Sequence, residues 1–240
     1  MYPDFDINRS HPLVQATIRG SRKVRADPVN RKLPLRPDHL ACFVKIARDS
    51  GSYDDLLFAV ILSCGFYACH RTGELVQKND RTLFDSRKVI KRASLSFSQH
   101  RVQYHLPYHK ADPFYRGTLI LLGSHEVGCP VQLLGEYVAC RDMLHRCRSP
   151  LLLTEQGLHP TRQWFDRKFF AIVDRSFGGH SLRAGGATHY ASLGLSEDVI
   201  QALGRWSSAA WKIYIRDNPT VRAELQLGSL RRSSASFLMA

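Results

Sequence analysis

Hydrophobic and polar positions change their period along the chain, and each change marks a different element. In DHLACFVKIARD, residues 38–49, the apolar positions Leu40, Phe43, Val44 and Ala47 recur at the spacing of one helical face. Asp54 and Asp55 then open a second helix, where carboxylates meet the positive end of the helix dipole. The run LLFAVILSCGFYAC, residues 56–69, is apolar on nearly every side, which predicts a helix in the middle of the core. It is too short to span a membrane.

Between residues 93 and 122 the period becomes two. In RVQYHLPY, Val102, Tyr104, Leu106 and Tyr108 alternate with Arg101, Gln103 and His105, the pattern of a half-buried strand. SLSFS before it alternates similarly, and GTLILL after it is an apolar run of strand length. Pro and Gly in the intervening HKADPFYRG mark a chain reversal, so three antiparallel strands are predicted.

Helical patterns then return. Pro130 suits a first helical turn, and Leu133, Tyr137, Cys140 and Leu144 share a face behind it. TRQWFDRKFFAIV reads as an amphipathic helix. Ser196 is an N-cap with Glu197 and Asp198 in the first turn, and Gly204 closes that helix. The expected fold class is α+β, mainly α-helical, with a helical core and a small three-stranded antiparallel sheet.

Composition narrows the picture. At 240 residues, 44% hydrophobic and with three Trp, the chain can bury a large core, as one domain or two small ones. Its formal net charge of +13 favours a polyanionic partner, because cationic side chains displace the counterions condensed on nucleic acid. Residues 1–36, rich in Pro, Arg and Lys, read as a basic linker or arm, with a solvated tail as the alternative. MYPDFDINRS lacks a basic start followed by an apolar stretch, so no signal peptide is expected. The six cysteines form no CxxC pair and no zinc spacing, and are too sparse for a disulfide scaffold. They are expected as reduced, mostly buried thiols of an intracellular protein.

Breaking a phosphodiester without a metal needs donors on the non-bridging oxygens, a nucleophile, and an acid for the leaving oxygen. Arginine supplies a permanent charge and a flat bidentate fork. A tyrosine nucleophile, with a free pKa of about 10, costs roughly 4 kcal/mol to ionise at neutral pH, so nearby cations must help. The chain offers Arg71 in CHRTGEL, Lys110 in HKADPF, His180 and Arg183 one helical turn apart in HSLR, then Trp206 and Tyr214 in GRWSSAAWKIYIR. Taken singly, each has a structural reading: Arg71 pairs with Glu74, His180 caps a helix, and Trp206, Trp211 and Tyr214 are core aromatics. Gly185-Gly186 reads as close backbone packing. Lys88 and Lys91 lie near the same sheet as Lys110, whose position in the turn favours it.

Together and in this order, these boxes resemble the catalytic domain of the tyrosine recombinases, the phage-integrase family, over residues 37 to about 216. HKADPFYRG, HSLRAGGATHYASLGL and GRWSSAAWKIYIR are most similar to recombinases of eukaryotic mobile elements. Trp206 and Tyr214 stand one residue closer than in many bacterial relatives. The resemblance implies the DNA breaking-rejoining fold, with a catalytic domain over 37–218 and a C-terminal tail over 219–240. It implies site-specific recombination or integration through a 3′-phosphotyrosine on Tyr214. Arg71 and Arg183 would clamp the phosphate and Lys110 would protonate the leaving 5′ oxygen. His180 and Trp206 would contact the phosphate, with His180 also helping Tyr214 lose its proton, and Glu74 would orient the Arg71 loop. No cofactor or metal is implied. The implied partner is double-stranded DNA, bound as a dimer or tetramer and without a membrane, in the nucleus if the source is eukaryotic. Family members carry an N-terminal helical clamp domain, whereas here a short basic stretch precedes the catalytic boxes. A catalytically silent DNA-binding remnant of a mobile element is therefore the alternative expectation.

Overall fold

A computed structural model of the protein describes residues 4–25, 32–112, 114–208 and 211–212. The chain divides into two compact units, Met1–Arg31 and Lys32–Ala240. Within the first, α1 (Phe5–Ser10) and α2 (Pro12–Arg25) are helices that the reading of a basic linker or arm did not include. Pro12 stands at the start of α2, where its missing N–H costs nothing.

The second unit carries the core. Helix α3 (Pro37–Ser50) buries Leu40, Phe43, Val44 and Ala47, the face its periodicity predicts, and ends at Gly51 with φ 61°. Helix α4 (Tyr53–Tyr67) is the centre: Ser52 caps it by accepting the Asp55 N–H, and every residue from Leu57 to Tyr67 is buried. The short α5 (Thr72–Leu75) follows. Three strands, β1 (Ser96–Ser98), β2 (Arg101–Leu106) and β3 (Thr118–Gly123), form an antiparallel sheet in the order β1-β2-β3. Val102 pairs with Leu122 and Tyr104 with Ile120, so one face of β2 and β3 packs on the core, while Tyr108 lies beyond the strand and is half-buried. Helices α6 (Pro130–His145), α7 (Arg162–Phe170), α8 (Ser181–Ser192) and α9 (Glu197–Leu203) complete the unit.

Two expectations change. Helix α6 buries Leu133, Leu134, Tyr137, Val138 and Arg141, whereas Cys140 and Leu144 are exposed. The cause is Arg141, whose fully buried guanidinium donates to the carbonyls of Arg146, Arg148 and Pro150 and to Asp142. That guanidinium ties down the chain leaving the helix, and its bonds turn the buried face away from Cys140. The cysteines are free, but only Cys64 and Cys69 are buried; Cys42, Cys140 and Cys147 are exposed and Cys129 is intermediate.

Helix α8 lies against α4 at backbone distance. A Cβ on Gly185 would sit 2.4 Å from the Leu35 carbonyl oxygen, and one on Gly186 would sit 2.1 Å from that of Phe66. Gly186 thus lets the HSLR helix approach the end of α4, where the Arg71 loop begins, and Gly185 lets it approach the segment before α3. Among the described residues no helix is long and apolar enough to cross a membrane.

Candidate active site

The chain leaves α4 through a sharp turn. Cys69 adopts φ 48°, a conformation uncommon for a side chain of this kind, and His70 and Arg71 then lead into α5. Glu74, one turn into α5, reaches back: its carboxylate accepts the Arg71 backbone N–H at 3.2 Å and Arg71 Nη1 at 3.2 Å. The Thr72 hydroxyl donates to the Gly179 carbonyl at 2.7 Å, tying this loop to the residue before His180.

Behind Arg71 lies a buried polar knot. His70 is fully buried, with Nδ1 2.8 Å from Glu74 Oε2 and Nε2 2.7 Å from the Tyr104 hydroxyl. Burial, reinforced by the Arg205 charge and opposed by Glu74, pushes the imidazole down to about 4, so it is neutral at pH 7. Burial disfavours ionised Glu74, but the His70 hydrogen bond and the Arg205 and Arg183 charges outweigh it and hold the carboxyl well below its ordinary range. An ionised carboxylate only accepts, so His70 carries its proton on Nδ1 and accepts from Tyr104 at Nε2. Arg205 Nη2 lies 3.0 Å from Glu74 Oε2 and 3.3 Å from His70 Nδ1, and the carboxylate is the acceptor this tautomer leaves open to it.

Arg205 was absent from the residues singled out by sequence, where it served only as the spacer between Gly204 and Trp206. It takes φ 54° and its Nη1 donates to the carbonyls of Ala68 and Leu203, both at 3.1 Å. The signal was the cation inside the GRW box, between Gly204 and Trp206. Gly204 has an ordinary φ of −83°; a Cβ there would lie 1.4 Å from the Trp206 ring, so glycine is required by packing and not by a left-handed turn.

Arg183 joins the same knot from α8. Nη1 donates to the Cys69 carbonyl at 2.7 Å, Nη2 donates to the Gly204 carbonyl, and the guanidinium stacks 4.1 Å from the Trp206 ring centre. It is 1% exposed, and burial together with the Arg71 charge pulls it down to about 10. Trp206 itself packs with Cys69, Ala187, Ile200 and Trp211 in a small second core.

Five of the expected residues, Arg71, Glu74, His180, Arg183 and Trp206, thus share one locality. Arg71 is partly open, with 28% of its side chain exposed. His180 stands at the start of α8 without a side-chain cap bond; desolvation by its surroundings, then the charges of Arg183, Arg71 and Arg162, lower its pKa. Lys110 is exposed in the β2–β3 connection and makes no hydrogen bond or ion pair among the described residues. Its neighbour His109 is buried; burial first, then the Arg205 charge, lowers its pKa, with Arg71 and Glu74 also in reach, which brings that turn beside the knot. Tyr214 and the tail 219–240 lie outside the described residues. Among the described residues no group of three His, Cys, Asp or Glu side chains is arranged to hold a metal ion.

The chain matches no protein-family model and no curated protein. Among solved structures it is similar to the XerA recombinase, at TM-score 0.61 and 18% identity over 83% of this chain and 64% of that one. It is also similar to the XerH site-specific recombinase bound to its difH substrate. The pre-cleavage complex aligns at TM-score 0.54 and 15% identity, over 76% of this chain and 50% of that one. The post-cleavage complex on a palindromic difH substrate aligns at 0.53 and 14%, over 85% and 52%. The chain has the fold of the recombinase catalytic domain. It spans between half and two-thirds of the length of these recombinases, and the mainly helical architecture with one three-stranded antiparallel sheet is the part they share.

Proposed function

We propose that this chain breaks and rejoins DNA as a tyrosine recombinase, with Tyr214 as the nucleophile. The Tyr214 oxygen attacks the scissile phosphorus, the bond to the 5′ oxygen breaks, and a 3′-phosphotyrosine forms. Lys110 gives its proton to the departing 5′ oxygen. His180, kept neutral near pH 7 by its lowered pKa, accepts the tyrosine proton. Arg71 and Arg183 stabilise the charge that concentrates on the non-bridging oxygens, and Trp206 packs behind them. The phosphodiester energy stays in the adduct, so rejoining is the same exchange in reverse.

The observation that carries this reading is the convergence of Arg71, His180 and Arg183 in one another's electrostatic field, linked through Thr72 and Gly179. The fold shared with recombinases and the net charge of +13 support it. The wording of the HKADPFYRG and HSLRAGG boxes supports a source among eukaryotic mobile elements, hence nuclear action as a dimer or tetramer on double-stranded DNA. One observation favours the second reading, a silent DNA-binding remnant: Arg183 is buried with both terminal nitrogens donating to backbone carbonyls.

Capture of protein-bound DNA from nicked duplexes of randomised sequence separates the two. The nick lets the 5′ fragment leave and traps any adduct. The expected result is covalent capture by the natural protein and none by Tyr214→Phe, which still binds DNA. Binding should weaken by orders of magnitude between low and physiological salt, because phosphates supply most contacts. Capture that persists in Tyr214→Phe removes Tyr214 from its role. Salt-sensitive binding with no capture by either protein selects the silent remnant.

A further inference from the structure

Beside the β2–β3 connection lies a groove of about 790 Å³. Its walls are the segment 84–94, the connection after β2, and the stretch 149–159. Two backbone bonds brace it: the Arg92 N–H donates to the Ser149 carbonyl at 2.7 Å and the Leu151 N–H to that of Ile90 at 2.8 Å. The volume lies in the range of clefts that enclose a small organic ligand.

The lining has an unusual character for a surface cleft. Flat rings line it: Phe84, 44% exposed, sits 5.0 Å from His159, and Tyr115 sits 4.8 Å from Tyr108. Phe114 projects from the turn at 77% exposure. The charged side chains in the lining, Arg87 and Lys91, are both cations, and no carboxylate lines it. The nearest acid, Asp85, is neutralised by Arg87, whose Nε and Nη2 each lie 3.0 Å from it, and by Lys88 at 3.7 Å.

The aromatic wall is built and held. The Tyr115 hydroxyl donates to Asp85 at 3.1 Å, and the Arg87 guanidinium lies 4.7 Å from the Tyr115 ring centre. Tyr115 adopts φ 55°, a costly conformation for a bulky side chain that persists only when its surroundings over-determine it. The turn is closed by Asp112, whose carboxylate accepts the Gly117 N–H at 2.7 Å. A core role explains none of this, because Phe84 and Phe114 remain in solvent.

We infer that this groove binds single-stranded DNA, stacking unpaired bases on the exposed Phe84 and Phe114, with Tyr115 bracing the wall, while Lys91 and the exposed side of Arg87 meet the phosphates. Rings give stacking that every base can satisfy, and Lys91, together with the exposed Arg87 that only Asp85 offsets, gives the lining a cationic character suited to a polyanion. A duplex keeps its bases stacked on one another and has no faces to offer these rings. The inference deepens the proposed DNA-processing role by naming the form of DNA the groove takes, but it requires no cleavage.

The test is therefore equilibrium binding by the full chain carrying Tyr214→Phe. Three fluorescent probes serve: an oligothymidine of about 20 nucleotides, an abasic strand of equal length, and a duplex. The oligothymidine should bind at least about tenfold more tightly than the abasic strand. The double variant Phe84→Ala/Phe114→Ala, at two exposed positions and so expected to fold, should lose about tenfold or more for the oligothymidine and stay unchanged for the abasic strand and duplex. Equal binding of oligothymidine and abasic strand overturns the inference. So does an equal loss on all three probes, which would mark a general DNA face. Failure here leaves the adduct experiment untouched, and failure of that experiment leaves this one readable.

Discussion

The knot around Glu74 and the groove beside the β2–β3 connection are both rich in cations, yet they treat those cations in opposite ways. In the knot, Arg183 and Arg205 are buried and their guanidiniums are consumed by the carbonyls of Ala68, Cys69, Leu203 and Gly204 and by Glu74. In the groove and its turn, Arg87, Lys91 and Lys110 stand in solvent. A buried cation must be paired because its hydration is lost, so it organises backbone before it can meet a ligand. An exposed cation keeps most of its hydration, and even Arg87, paired with Asp85, holds only the turn beside it. Cation content alone therefore does not distinguish scaffold from contact surface; burial does.

The sharpest way to break this contrast is at Glu74. Glu74→Gln keeps the shape but removes the charge facing Arg205 and Arg71, and should cost about 3–5 kcal/mol of stability, read from denaturant midpoints. A loss below about 1 kcal/mol would mean that the carbonyls alone satisfy the guanidiniums. Arg141 offers the same logic on α6, where carbonyl oxygens dominate its partners.

A smaller effect comes from pH. His70 is pushed down to about 4 by burial, so the folded protein keeps it neutral while the unfolded chain, with a pKa of about 6.5, takes up a proton. Its contribution is fully present above about pH 6.5 and is lost as the pH falls toward about 4. His125, held at about 4 by burial and by His189, acts in the same direction. The denaturant midpoint should fall steadily through that window, and less steeply in His70→Gln. A midpoint flat over the window would show that His70 is charged in the fold.

The smallest structural effect belongs to Lys110. Lys110→Ala should change stability by no more than about 0.5 kcal/mol while removing the acid proposed for the leaving oxygen and so slowing adduct formation. A large stability loss would move Lys110 from the exposed class into the scaffold.

How much was legible beforehand follows the same division. The face of α3, the all-round burial of α4, the sheet and the Ser196 cap were readable, since period and capping act over a few residues. The close approach implied by Gly185-Gly186 was readable as well, because two glycines in a helix are costly without a packing reason. The face of α6 was misread: Cys140 looks apolar and Arg141 does not, and only the carbonyls gathered at 146, 148 and 150 make the arginine the buried one. Arg205 was passed over for the same reason, since only the tertiary fold brings Glu74 and the carbonyls of Ala68 and Leu203 to it.

By itself, then, the sequence determined the element types from α3 onward, the central place of α4, and the order of the Arg71, Lys110, His180 and Arg183 boxes, because local geometry and chain order need no knowledge of neighbours. Which cations became internal ties, which cysteines stayed in solvent, and where aromatic rings were left open beside basic side chains were decided only by the tertiary structure. Desolvation depends on what the rest of the chain brings within a few ångströms, and no local period encodes that.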